Sequence, residues 1–420
     1  MKKLISLIMG ALIIACACLP CSAQDISTAA WITPDGIETE SGAGDESGQA
    51  SGTYLGEAIF TSLPVEVKAK SAILMEASTR RVLLAENEHE RRFPASVTKI
   101  MTMLLVTEAI DDGRISLTDT VTASSNAVSK GGSQIWLEEG EQMTVDELLK
   151  ATAVGSANDA ATALGEYVAG SEEGFIAMMN DRARELGMND TNFDNCTGLD
   201  DTTDTHLTSA YDIALMSAEL IKHERITNYT TIWMDSLRSG QTELTNTNRL
   251  VRFYSGTTGL KTGTTAKAGN CLSATAKRDG LHLVAVVLGS ENSTDRFEGA
   301  KALLNWGFSN YAIVGVSADT SLIKPVNILH GVENSIEPVI PEIAPVLVSR
   351  GSEKEIAQTV ELAADIAAPV EQGQVLGKIC VTLSGQTVAE YPLVAPYAVE
   401  KLGFPGAFMR ILRMLAGLAA

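Results

Sequence analysis

Arg92-Phe93-Pro94-Ala95-Ser96-Val97-Thr98-Lys99-Ile100-Met101-Thr102 places a serine and a lysine three residues apart at the start of a long apolar run. Pro94 suits the first turn of a helix, and the run Ala95 to Ile110 predicts a buried one. On a helix Ser96 and Lys99 share a face. A serine hydroxyl is a weak nucleophile at neutral pH and needs a base. A lysine inside an apolar helix, near other cations, is desolvated and repelled, which lowers its pKa. Neutral Lys99 then takes the proton of Ser96, and the positive end of the helix faces the oxygen that becomes charged.

Two further motifs follow in order. Ser156-Ala157-Asn158 sits in a connector just before an Ala-rich helical stretch, Ala157 to Tyr167. Lys261-Thr262-Gly263-Thr264 sits on an expected strand beginning at Leu260. Each motif alone is weak, since an S-x-x-K arises by chance in most chains of this size. Their order and contexts together carry the signal, and the trio marks β-lactamases and penicillin-binding proteins. The chemistry assigns each residue a task. Ser156 relays a proton between a nearby lysine and the leaving nitrogen. Asn158 hydrogen-bonds Lys99 and the substrate amide. Lys261 supplies positive charge, and the Thr262 and Thr264 hydroxyls bind a substrate carboxylate. The strand edge through Gly263 pairs with substrate backbone, and the N–H groups of Ser96 and Thr264 form the oxyanion hole.

The segment 92–102, Ser156-Ala157-Asn158-Asp159-Ala160-Ala161 and Gly259-Leu260-Lys261-Thr262-Gly263-Thr264 closely resemble the active-site segments of low-molecular-mass penicillin-binding D-Ala-D-Ala carboxypeptidases. Asp295-Arg296-Phe297 matches the point where those enzymes carry an arginine near the substrate carboxylate. The resemblance runs over about residues 65 to 420. It implies the penicillin-recognising serine transferase (β-lactamase-like) fold, loss of the terminal D-Ala from peptidoglycan peptide stems through an acyl-enzyme on Ser96, and acylation of Ser96 by β-lactams. It implies no cofactor. Two departures bear on specificity and deacylation. Asn195-Cys196-Thr197-Gly198-Leu199 stands where the family often has Asn-Pro-His-Gly-Leu, and Thr264 stands where many members have His.

The surrounding pattern predicts an α/β (α+β) domain over 65–320 whose sheet is interrupted by a helical insert. Ala72 to Met75 and Arg81 to Ala85 read as strands, as do Asn270 to Ala276 and Leu281 to Leu288, the latter pair joined by an Arg278-Asp279-Gly280 hairpin. Helices are expected over Thr144 to Lys150, Ser171 to Leu186 with Ser171 as N-cap, Ser209 to His223 with a Ser209/Asp212 capping box, and Phe297 to Trp306. Prolines then punctuate short β-type runs, predicting a small β domain over 321–397. In 398–420, Phe404, Phe408, Ile411, Leu412, Leu415 and Leu418 share one helical face opposite Arg410 and Arg413, a pattern suited to a membrane surface.

The N-terminus reads as an export signal over 1–23. Lys2 and Lys3 precede the apolar stretch Leu4 to Leu19, and Cys21-Ser22-Ala23 fits cleavage after Ala23. A lipoprotein reading with Cys16 lipidated stays open. A Gly/Ser/acidic tether is expected over 24–64. The chain carries 32 Lys and Arg against 52 Asp and Glu, a net charge of −20, which argues against a nucleic-acid partner. Of six Cys, Cys196, Cys271 and Cys380 follow the expected cleavage point, with no framework or zinc spacing. The five His show no metal-ligand spacing and read as surface or structural residues. The rival readings are a β-lactamase, a transpeptidase or endopeptidase, and a catalytically silent peptidoglycan-binding protein. Against the first, no Glu-x-x-Leu-Asn segment stands between the second and third motifs.

Overall fold

The computed structural model of the chain describes residues 63–340 and 342–415. The expected export signal, and the expected tether up to residue 62, lie outside the described residues.

Strands β1 (Ser71–Glu76) and β2 (Val82–Glu86) form the first hairpin. Helix α1 (Lys99–Asp111) follows a 3-10 turn over Ala95–Thr98. The insert contributes α2 (Val145–Lys150), α3 (Asn158–Ala169), α4 (Glu172–Glu185) and α5 (Ala210–Leu220). Strands β3 (Thr257–Thr265), β4 (Gly269–Arg278) and β5 (Leu281–Ser290) complete the sheet, and α6 (Ser293–Asn310) closes the unit. The sheet runs β2-β1-β5-β4-β3, antiparallel throughout. Residues far apart in the chain therefore meet, as where Leu74 of β1 pairs with Ala285 of β5.

Both faces of the sheet are covered. Ile73, Met75, Val284 and Val286 pack with α1 and the insert, while Ala72, Leu74, Ala285 and Val287 pack with Phe297, Leu303 and Leu304 of α6. This alternation is the two-residue period of a strand buried on both sides. α1 is buried on nearly every side and its apolar residues belong to the larger core. Local signals hold where they were expected. Ser171 accepts from Gly174 N, and the β4–β5 turn places Asp279 and Gly280 at φ +49° and +85°, the paired positive values of a tight hairpin. At Ser209 only half the expected capping box forms. Ser209 accepts from Asp212 N, but the Asp212 carboxylate faces away to Asp190 N at 2.8 Å and Thr191 Oγ1 at 2.7 Å.

The C-terminal β region opens at β6 (Tyr311–Val314), ahead of the boundary expected at 321, because β6 pairs with β7 (Val346–Ser349). A three-stranded sheet of β8 (Ile356–Leu362), β9 (Val375–Leu383) and β10 (Gln386–Val394) follows. Ile379, Val381, Tyr391 and Leu393 point inward from it. Helix α7 (Phe404–Leu415) turns Phe404, Phe408, Ile411, Leu412 and Leu415 to solvent. Arg410 donates instead to Gly331 O and Val332 O of the β region. Leu418 lies outside the described residues. Among the described residues no helix is long and apolar enough to cross a membrane.

Candidate active site

Ser96 does not lie in α1, as its apolar run suggested. It lies in the 3-10 turn before it, and α1 starts at Lys99. A 3-10 turn eclipses residues i and i+3, so the change tightens the pair. Lys99 Nζ donates to Ser96 Oγ at 3.0 Å and to Thr197 O at 2.8 Å. Lys99 is fully buried, and burial lowers its pKa to about 7. The expected repulsion by neighbouring cations is not what lowers it. The nearby Asp159 carboxylate acts in the opposite direction.

The second motif follows a π-helical turn over Ala151–Gly155 that extends α2. Such turns break helix periodicity. Here the turn hands the chain to Ser156 in the left-handed region, at φ +61° and ψ +27°. Asn158 then starts α3. Its Nδ2 donates to Gly131 O at 2.6 Å and its backbone N to Ser133 O at 2.7 Å. Its Oδ1 is buried with no protein partner, so the expected bond to Lys99 is not made in this state. Asp159 pins the facing loop by accepting from Ile135 N at 3.2 Å and Leu137 N at 3.0 Å.

The third motif lies on β3 against the Ser96 turn. A Cβ on Gly263 would stand 3.0 Å from Ser96 N and 2.7 Å from Pro94 O, so only glycine allows this approach. Thr262 Oγ1 donates to Thr247 Oγ1 at 2.7 Å, and Thr264 Oγ1 to Gly263 O at 2.8 Å. Arg296, mostly buried, donates through Nη1 to Gly263 O and Thr264 Oγ1, each at 2.9 Å. Lys261 is fully buried and donates to Thr262 O at 2.9 Å. Burial first, then the charges of Lys99 and Arg296, hold it well below the ordinary lysine range.

The structure thus gathers Ser96, Lys99, Lys261, Gly263, Thr264 and Arg296 around one turn, with Ser156 and Asn158 at the head of α3. Several supporting residues escaped the sequence reading. Asn195 Oδ1 accepts from Thr197 N at 3.1 Å and Gly198 N at 2.7 Å, shaping the loop whose carbonyl holds Lys99. His206, read as surface or structural, is wholly buried and bonds Thr98. The departure from Asn-Pro-His-Gly-Leu at 195–199 was the one available signal that this loop matters. Burial pushes the Cys196 and Cys271 thiols up to about 12 and about 11, which keeps both protonated at neutral pH. Among the described residues no cluster of His, Cys, Asp and Glu could hold a metal ion.

Residues 58–292 match the family described as D-alanyl-D-alanine carboxypeptidase, and residues 315–401 match the penicillin-binding protein 5 C-terminal domain. The chain is 41% identical over 341 residues to the D-alanyl-D-alanine carboxypeptidase DacF of Bacillus subtilis, spanning 80% of this chain and 87% of that protein. It is 34% identical to DacC of Escherichia coli, over 81% and 86% of the two chains. Penicillin-binding protein 5 from Haemophilus influenzae superposes with a TM-score of 0.72 at 29% identity, covering 81% of this chain and all (100%) of that one. The chain belongs to the D-alanyl-D-alanine carboxypeptidase family of penicillin-binding enzymes.

Proposed function

We propose that Ser96 is the acylated nucleophile of a serine D-alanyl-D-alanine carboxypeptidase that trims the terminal D-Ala from peptidoglycan stems. The observation that carries this reading is the buried Lys99 amine, 3.0 Å from Ser96 Oγ and poised near neutrality at about 7. Ser96 Oγ attacks the carbonyl carbon of the penultimate residue while its proton passes to Lys99. The N–H groups of Ser96 and Thr264 receive the developing oxyanion. Ser156 carries the proton on to the leaving D-Ala nitrogen as the amide bond breaks, and water then hydrolyses the ester. The substrate carboxylate docks on Thr262, Thr264 and Lys261, with Arg296 holding the strand beneath. A carboxylate beside Lys261 raises its pKa again, so its charge returns with substrate. The test is a fluorescent penicillin, with the label located by peptide mass spectrometry. Label on Ser96, lost in Ser96→Ala, supports the reading, and a long-lived label separates a peptidase from a β-lactamase. No label on folded protein would overturn it.

The same reading places the enzyme outside the cytoplasm, delivered by the 1–23 signal, with α7 against a membrane surface. Five exposed apolar side chains along one face of a 12-residue helix support that placement, because isolated surface helices seldom expose such a stripe to water. Sedimentation with anionic lipid vesicles should fall sharply when residues 404–420 are removed. Equal sedimentation of both proteins would reject the membrane role of α7.

A further inference from the structure

Behind the nucleophile turn the buried polar groups left unused by the reaction converge on His206, in the loop before α5. Asp194 N donates to its Nδ1 at 2.9 Å. A backbone N–H can only donate, so Nδ1 is bare and Nε2 carries the proton. That Nε2–H donates to Thr98 Oγ1 at 2.8 Å, and Thr98 Oγ1 donates in turn to Ala95 O at 2.9 Å. The imidazole therefore ties the loop 194–198 to the turn 95–98. The loop offers Thr197 O to the Lys99 amine, and the turn offers Ser96 Oγ to the same amine.

We propose that His206, as its Nε2–H tautomer, is a positioning residue that sets the distance between Ser96 and Lys99. Gly198 closes the same junction. At φ +87°, a Cβ there would stand 1.8 Å from Ala95 O, so loop and turn touch backbone to backbone and any slack in the tie moves both. The charges facing the ring are Asp194, which attracts a proton, and Lys99, which repels one; the Phe193 ring lies 5.8 Å away. Burial, reinforced by Lys99, outweighs the attraction of Asp194 and holds His206 at about 4. The ring thus stays neutral while Lys99 titrates, and the tie keeps its polarity throughout. An imidazolium would lose the Nδ1 acceptor and leave Asp194 N unpaired.

The inference rests on Ser96 being the acylated residue. Its test is the penicillin acylation rate of the full chain, from about pH 5 to about pH 9, alongside thermal unfolding. His206→Ala should lower the rate about tenfold or more, since small misplacements of reacting groups are costly, and should shift the midpoint of the pH profile as Thr197 O leaves Lys99. His206→Gln, which keeps a donor toward Thr98, should recover most of the rate. Thr98→Val should repeat the loss in the natural background and add little to His206→Ala. If His206→Ala does not fold, the Gln and Thr98→Val variants decide alone. Folded variants with the natural rate and pH profile would overturn the proposal, as would losses that follow folded fraction only. Wild-type label away from Ser96 would instead sink the underlying reading, and this inference with it.

Discussion

Between residues 71 and 310 the core encloses Lys99, Lys261, Asp159, Asp212, Glu76 and most of Arg296, whereas from Tyr311 onward no fully buried side chain among the described residues carries a charge. Taking an ion out of water costs several kcal/mol unless partners meet it. The first region meets that cost group by group. Glu76 receives the Ser78 and Thr79 amides, Asp159 two loop amides, and Lys99 the Thr197 carbonyl. The second region packs Ile379, Val381, Tyr391 and Leu393 from alternating strand positions and has nothing to offset. Buried charge with polar partners is thus concentrated in the first region, and plain apolar alternation packs the second.

The sharpest test of that contrast is Ser96→Ala, which should lose all penicillin label while unfolding at an unchanged temperature. Lys99→Arg should follow, with acylation down by about 10³-fold, because a guanidinium stays charged and cannot accept the proton. The natural enzyme's acylation should rise with pH through about 7, since only the uncharged amine acts as base. A profile flat from about pH 5 to about pH 9 would remove Lys99 from that role. Gly263→Ala, whose new Cβ would press on the Ser96 amide, should slow acylation by about 10²-fold. Leu393→Ala should destabilise the C-terminal region by about 3 kcal/mol yet leave acylation by folded protein unchanged. A matching fall in acylation would break the division of labour between the two regions. Thr144→Ala removes a complete capping box with Glu147 and should cost about 1 kcal/mol, measured by chemical denaturation, with no effect on acylation.

Local pattern was enough for much of the architecture. The β1–β2 hairpin, the Ser171 cap and the Asp279-Gly280 turn depend on neighbours in sequence, and each forms where its residues suggest. The misreadings occur where distant groups compete for the same atoms. Ser209 and Asp212 have capping-box spacing, but Asp190 and Thr191 claim the carboxylate. The apolar run from Ala95 is helical in composition, yet its first turn is 3-10, with Gly263 and Gly198 pressed against it. The π-helical turn before Ser156 left no trace in the periodicity, because its residues are buried on every side.

Sequence alone picked out the three motifs at Ser96, Ser156 and Lys261 and their order. It also determined the Ser96–Lys99 pairing, since three residues of separation within one turn need no help from the rest of the chain. Only the tertiary structure decided that the lysine would be held by Thr197, 98 residues away. The same holds for His206, which bonds Thr98 across 108 residues, and for β3, which lies against the Ser96 turn. The reason is physical. Spacing fixes a contact within one turn of chain, whereas the desolvation that lowers a lysine's pKa and the carbonyl that aims it exist only once the whole core has closed around them.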